Sequence, residues 1–191
     1  ANASGIETLP GFFTREIAGE IAAQHGPAAC ITANNVFAHI DDLAGTAEAV
    51  HTLLAPDGVF VFEVSYFLDV YESTLFDTIY HEHLDYHTVG PLPQFFAAHG
   101  LDLFAAERID THGGSLRGFV QQAGGGRTHD GVDALIAGEA KIGLDREETL
   151  RGYSARIDAL GQELRTLLAT LRAQGKRIAG YDAPAKATML M

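Results

Sequence analysis

Apolar positions along this chain fall into short blocks that alternate between a helical and an extended spacing. Residues 1–6 look like the tail of a helix, and residues 7–13 (Glu-Thr-Leu-Pro-Gly-Phe-Phe) like the end of a strand running into a loop. Thr14 has the chemistry of an N-cap, and Ile17 and Ile21, four apart, predict a helix to about Gln24. The apolar run 28–37, set behind Gly26-Pro27, predicts a buried parallel strand that ends at Asn34-Asn35. Ala47, Val50 and Leu54 lie on one stripe of a helix over 43–54. Pro56-Asp57-Gly58 predicts a turn, and the branched and aromatic run 59–64 a second buried strand. Strands and helices alternating at this length predict an α/β fold built on a doubly wound sheet.

Further along, residues 91–99 predict a short helix stopped by Gly100. Residues 101–109 and 115–121 predict two strands joined by Thr111-His112-Gly113-Gly114. With no helix between them, they form an antiparallel pair closing the edge of the sheet. Gly124-Gly125-Gly126 marks a linker. Asp145 and Glu148 have capping-box spacing for a helix lasting to about Ala173. Its Leu150, Tyr153, Ile157, Leu160, Leu164, Leu167 and Leu171 step by three and four. So short a stripe favours packing within the chain over a self-associating coiled coil. Residues 176–183 predict the first strand of a new α/β unit, with Pro184-Ala185-Lys186 as its loop. The expected organisation is thus one unit over 1–123, linker helices over 124–175 and the start of another unit at 176–191. No opening strand with a glycine-rich turn is present, so a segment of a larger protein, cut inside two domains, is expected.

Composition narrows the function. The 191 residues carry a net charge of -12, which disfavours a nucleic-acid groove. The lone Cys30, between Ala29 and Ile31, excludes a disulfide framework and predicts a buried hydrophobe rather than a nucleophile. No stretch approaches the roughly 20 apolar residues of a membrane span. No secretion signal is visible either, so a cytoplasmic, monomeric protein is expected.

Chemistry concentrates in Thr78-Ile79-Tyr80-His81-Glu82-His83-Leu84-Asp85-Tyr86. Extended, this segment would turn Tyr80, Glu82 and Leu84 one way and His81, His83 and Asp85 the other. In a tight turn Tyr80 and His83 would be neighbours instead. Either arrangement brings a phenol, a carboxylate and an imidazole within reach of one another, which proton transfer near neutral pH requires. The spacing of His81, His83 and His87 matches no structural zinc pattern, and no metal is expected here.

Gly11-Phe12-Phe13, Asn34-Asn35-Val36-Phe37-Ala38-His39 and Pro56-Asp57-Gly58-Val59-Phe60-Val61 resemble the second half of a class I S-adenosylmethionine-dependent methyltransferase. Three further stretches join them: Tyr80 through Tyr86, His112-Gly113-Gly114-Ser115-Leu116-Arg117 and Gly180-Tyr181-Asp182-Ala183-Pro184-Ala185-Lys186. In that order the chain resembles the nucleotide-sugar C-methyltransferases of the NDP-hexose 3-C-methyltransferase type. The resemblance implies a Rossmann-like domain for S-adenosylmethionine, then linker helices, then a second Rossmann-like unit. The family's zinc module would precede this chain, so zinc is expected only there. The glycine-rich loop and ribose-binding acid of the cofactor site also have no counterpart here.

The implied reaction is methylation at carbon 3 of a dTDP-linked 4-keto-deoxysugar, which needs a base to remove the proton beside the ketone and a donor to hold the enolate oxygen. By resemblance His83 is the base, Glu82 positions the sugar or supports the imidazole, Tyr80 donates to the ketone, and His39 faces the substrate with an acid/base role. Phe12, Phe13, Ala33 and Asn34 would line the cofactor. Asn35, His112, Gly114, Ser115, Arg117, Tyr181 and Lys186 would line the nucleotide-sugar, with Arg117 and Lys186 suited to its diphosphate. Two rival classes stand beside this one. A sugar-nucleotide epimerase or dehydrogenase would carry Tyr-x-x-x-Lys or Gly-x-Gly-x-x-Gly, and neither occurs. A non-catalytic chain would bind nucleotide-sugar or associate through its leucine-rich helix.

Overall fold

A computed structural model describes residues 4–128 and 130–180. Residues 6–10 form no helix, and of the expected 1–6 helix tail residues 1–3 lie outside the described residues. Residues 7–13 form no strand, which corrects the expectation for them; Pro10 has no N–H to give a ladder, and Phe12 is 90% exposed. Helix α1 (Arg15–His25) begins where expected, with Thr14 Oγ1 accepting the Ile17 N–H at 3.4 Å. Strand β1 (Ala28–Asn34) stops at Asn35, whose φ of 53° leaves the extended region. The strand thus ends where expected, and a 3-10 turn, Phe37–His39, follows it. Asp42 then caps α2 (Leu43–Leu53), its Oδ1 accepting the Gly45 N–H at 2.8 Å.

Helix α2 passes straight into β2 (Leu54–Ser65). Pro56-Asp57-Gly58 is therefore a bulge inside β2 rather than a separate turn, because pairing jumps from Ala28↔Leu54 to Cys30↔Val59. Arg127 Nη2 donates to the bulge's Asp57 carbonyl at 2.6 Å. This contact ties the chain just past the triple glycine back to the sheet. Strands β3 (Leu101–Ile109) and β4 (Ser115–Gln122) form the expected antiparallel pair. The open mixed sheet runs β1-β2-β4-β3, with β1 and β2 parallel and the other pairings antiparallel.

Phe60, Phe62 and Val64 of β2 point to one face, where they meet Leu116 and Val120 of β4, Leu101 and Leu103 of β3, Val50 of α2 and Phe96 of α4 (Leu92–Ala98). Phe37 fills the middle of this core, its ring 5.2 Å from Phe62 and 6.3 Å from Phe96. Each such ring contributes about 1.5–3 kcal/mol by leaving water. Gly118 leaves room for it: a Cβ there would lie 2.3 Å from the Phe62 ring. On the opposite face Cys30, Thr32 and Asn34 are exposed. The predicted burial of β1 and of Cys30 is corrected, since β1 is an edge strand with that face uncovered among the described residues.

Two helices were not predicted. Helix α3 (Phe67–Ser73) has only two turns, and α5 (Val132–Ile142) starts at Gly131 without a side-chain cap and contains Gly138. Helix α6 (Glu147–Ala173) starts later than expected. Gly143 ends α5 in the left-handed region, and Arg146 N–H donates to Gly143 O at 3.0 Å, so Asp145 lies inside the reversal and not at the cap. The capping-box reading is corrected accordingly. Only Tyr153 of α6 is buried, while Leu150, Leu160, Leu164 and Leu167 are 42–55% exposed. Packing of the whole stripe within the chain is therefore also corrected: the described residues cover its first turns alone. Residues 176–180 form no strand, and the rest of that predicted unit, with Tyr181 and Lys186, lies outside the described residues.

Candidate functional site

The C-terminal ends of β1 and β2 are where an open α/β sheet presents side chains to a ligand. Asn35 N–H donates to Glu63 O at 2.8 Å, which turns the chain from β1 into the Phe37–His39 turn. Phe37 is locked in the core, so His39, two residues on, has a fixed origin. Opposite it lies the 78–86 segment, docked by Leu84 and Asp85 N–H groups that both donate to Ala38 O, at 3.0 and 3.3 Å. His83 N–H donates to Tyr80 O at 3.1 Å. The segment is thus a turn and not an extended strand, and the Tyr80 and His83 rings are 4.5 Å apart.

His39 and His83 face each other with ring centroids 4.8 Å apart. His39 Nδ1 lies 2.6 Å from Glu82 O, and His83 Nδ1 lies 2.8 Å from Thr78 O. A carbonyl oxygen only accepts, so each Nδ1 must carry a proton, and in the neutral ring the lone pair then lies on Nε2. Half-buried His83 is held further by Tyr86, whose hydroxyl donates to the same Thr78 carbonyl at 3.4 Å. Glu82 acts here through its backbone. Its side chain is exposed.

The 112–117 group lies at this same C-terminal end of β2, where Ser65 pairs with Ser115. Arg117 is committed: Nη2 donates to Glu63 Oε2 and Nη1 to Glu107 Oε1, both at 3.1 Å. The resulting ladder crosses β2, β4 and β3, and its carboxylates, Glu63 first, push the guanidinium further up. Any anion at Arg117 would share the guanidinium with these two carboxylates. Gly114 spends its N–H on Thr111 O at 2.8 Å, and its carbonyl accepts the Tyr66 N–H at 3.3 Å. A Cβ on Gly114 would lie 2.1 Å from Asp69 Cγ, so glycine is required by Asp69 and not by a ligand. Ser115 is fully buried and donates to Thr111 O at 3.1 Å, whereas His112 is exposed.

Phe12 and Phe13 wall an open cavity of about 450 Å³ with Leu9, Ile17 and Ile21. Asn34 and Asn35 are exposed at the end of β1, while Ala33 is half-buried against the core. No three residues among those described could hold a metal ion, and no described helix is long and apolar enough to cross a membrane.

Three buried carboxylates with structural links to the site went unread in the sequence: Glu63, Asp69 and Glu139. The available signal was an acid inside an apolar run, as in Phe60-Val61-Phe62-Glu63-Val64. Asp69 Oδ1 accepts from Arg108 Nε at 2.9 Å, and Arg108 Nη2 also reaches Glu72 at 2.7 Å. His87 is buried against Phe37, and burial pushes its imidazole below the ordinary 6.5, opposed by Asp85 and a hydrogen bond to the Phe37 backbone. The unfolded chain therefore takes up a proton first as pH falls. His87 is expected to cost nothing above about pH 6.5 and to weaken the fold progressively below it. In urea unfolding across that range His87→Phe should show the shallower loss, and identical slopes would refute the assignment.

Two family models match this chain: a methyltransferase domain over residues 7–106 and a C-methyltransferase C-terminal domain over 110–191. The chain is also similar to C-methyltransferase NovU of Streptomyces niveus, with 38% identity over 192 aligned positions. That alignment covers 100% of this chain and 46% of the relative, so the chain spans about half the relative's length.

Proposed function

The chain belongs to the methyltransferase-domain family, and on that premise we propose that it supplies the proton-abstracting half of a C-methyltransferase site. The proposed substrate is a dTDP-linked 4-keto-deoxysugar, methylated at carbon 3 through an enolate. One observation carries this reading: His83, with Nδ1 held on the Thr78 carbonyl, offers an Nε2 without a hydrogen-bond partner among the described residues, beside the Tyr80 ring and His39.

His83 Nε2 takes the proton from carbon 3, and the C–H electron pair moves into the enolate. Tyr80 donates its hydroxyl to the enolate oxygen as charge develops there. His39 faces the same space and fixes the orientation of His83 and the bound ketone. Were carbon 3 to take the methyl group of bound S-adenosylmethionine, with its S–CH3 bond broken and S-adenosylhomocysteine released, His83 would then return its proton to solvent.

S-adenosylmethionine, when bound, supplies an electrophilic methyl group. Exposed Phe12 and the cavity it shares with Phe13 fit the cofactor's adenine, and Asn34 stands at the adjoining strand end. Asn35, His112, Tyr181 and Lys186 are the residues proposed for the nucleotide-sugar, while Arg117 already pairs with two carboxylates.

The test is solvent deuterium exchange at carbon 3 of a dTDP-4-keto-2,6-dideoxyhexose, run without S-adenosylmethionine. Incorporation by the folded chain supports the reading, because enolisation needs only the residues present. A folded chain that incorporates no deuterium overturns it.

A further inference from the structure

The His83-bearing segment is an excursion of the chain that leaves the sheet at Tyr66 and returns at Val89 and Gly90. Both ends meet at one side chain. Glu139 of α5 accepts the Tyr66 hydroxyl at 2.7 Å and the Val89 N–H at 2.6 Å on Oε1, and the Gly90 N–H at 2.9 Å on Oε2. We propose that Glu139 is a positioning residue: it clasps the two ends of the excursion and thereby sets His83 against His39.

Three facts carry this. First, Glu139 is only 6% exposed, yet no arginine, lysine or histidine pairs with it among the described residues. A buried carboxylate without a counter-charge is costly unless its oxygens are filled by donors, and all three donors come from the excursion's ends. Second, those ends are joined to each other only lightly. Tyr66 and His87 form an isolated bridge, with Phe67 N–H donating to His87 O at 3.0 Å. Tyr66 is also fully buried, and burial together with its bond to Glu139 pushes its hydroxyl upward, so it remains a donor. Third, α5 is anchored independently of the excursion. Asp130, just before it, exchanges backbone bonds with β3, accepting the Ala106 N–H at 3.1 Å and donating to Phe104 O at 2.8 Å. Leu135 and Ile136 pack on the core. The clasp therefore transmits the position of β3 to the excursion, while His39 takes its position from β1 and Phe37. The turn between those ends docks on Ala38 O through Leu84 and Asp85 N–H, and Glu139 fixes the ends from which it reaches that dock, so the 4.8 Å separation of the two imidazoles depends on both.

The catalytic part of this inference rests on the reading above, but the geometric part does not. Glu139→Gln is the sharp variant. Its amide oxygen can accept, whereas its NH2 group meets an N–H or O–H donor at the other position, so at least one bond is lost without a change of volume. Folding of the variant is checked by circular dichroism, and imidazole NMR of the chain then reads the two Nδ1–H protons and the ring-to-ring contact of His39 and His83. The expected result is loss of that contact, with carbon 3 exchange slowed on the order of 10²-fold in kcat and KM unchanged, the signature of misplacement. Tyr66→Phe removes one donor only and should give a smaller loss of the same kind. If both variants keep the wild-type ring contact and Nδ1–H signals, the proposal is overturned. A wild-type chain without exchange, beside a Glu139→Gln chain that has lost the ring contact, supports the clasp and rejects the proposed reaction instead.

Discussion

Replacing His83 by asparagine is expected to slow carbon 3 exchange by about 10²–10⁴-fold, the usual contribution of a positioned general base. Asparagine's amide can still donate to the Thr78 carbonyl, which His83 Nδ1 holds at 2.8 Å, so the turn should survive. What disappears is Nε2, the lone pair that takes the proton. The comparison isolates one atom's chemistry from the packing of the ring. A folded His83→Asn chain that exchanges at the wild-type rate would show that another group is the base. His39, 4.8 Å away, would be the next to test.

Phe37→Ala is expected to cost about 3–5 kcal/mol, the range for deleting a fully buried ring. Phe37 has no exposed surface and lies among Phe60, Phe62, Phe96 and His87, four rings within 6.3 Å. Against a typical total stability of about 5–15 kcal/mol, this loss alone could leave much of the population unfolded. Urea unfolding measures it directly, and a loss below about 1 kcal/mol would mean that the cavity collapses without strain. The same substitution loosens the turn that carries His39, so activity should fall by more than the unfolded fraction explains.

Legibility in the sequence followed burial and periodicity. Strands β2, β3 and β4 and helices α1, α2 and α4 were readable because each pairs a regular apolar spacing with a cap, a glycine or a proline at its end. Helix α5 was not, since Gly131 and Gly138 hide a helix held by tertiary contacts to β3. The bulge at Pro56-Asp57-Gly58 has the residue chemistry of a turn, and only pairing with β1 decides that the strand continues through it. In the site, the nearness of Tyr80 and His83 was foreseeable from turn geometry. The docking of that turn on Ala38 was not, because its bonds join backbone atoms that no side-chain pattern announces. Arg117 shows the opposite failure. A guanidinium suits a phosphate, yet Glu63 and Glu107, distant in sequence, are brought beside it by strand pairing.

Strand β4 inserts between β2 and β3, so Ser65 of β2 pairs with Ser115 of β4 across the whole intervening stretch. The histidine turn therefore hangs within a long closed loop whose ends are fixed by the sheet. The entropy of closing such a loop grows only with the logarithm of its length, and doubling it costs about 0.6 kcal/mol. A change of length between α3 and α4 thus costs the sheet little in closure entropy, while the bonds of that stretch to Ala38 and Glu139 set what it costs the site.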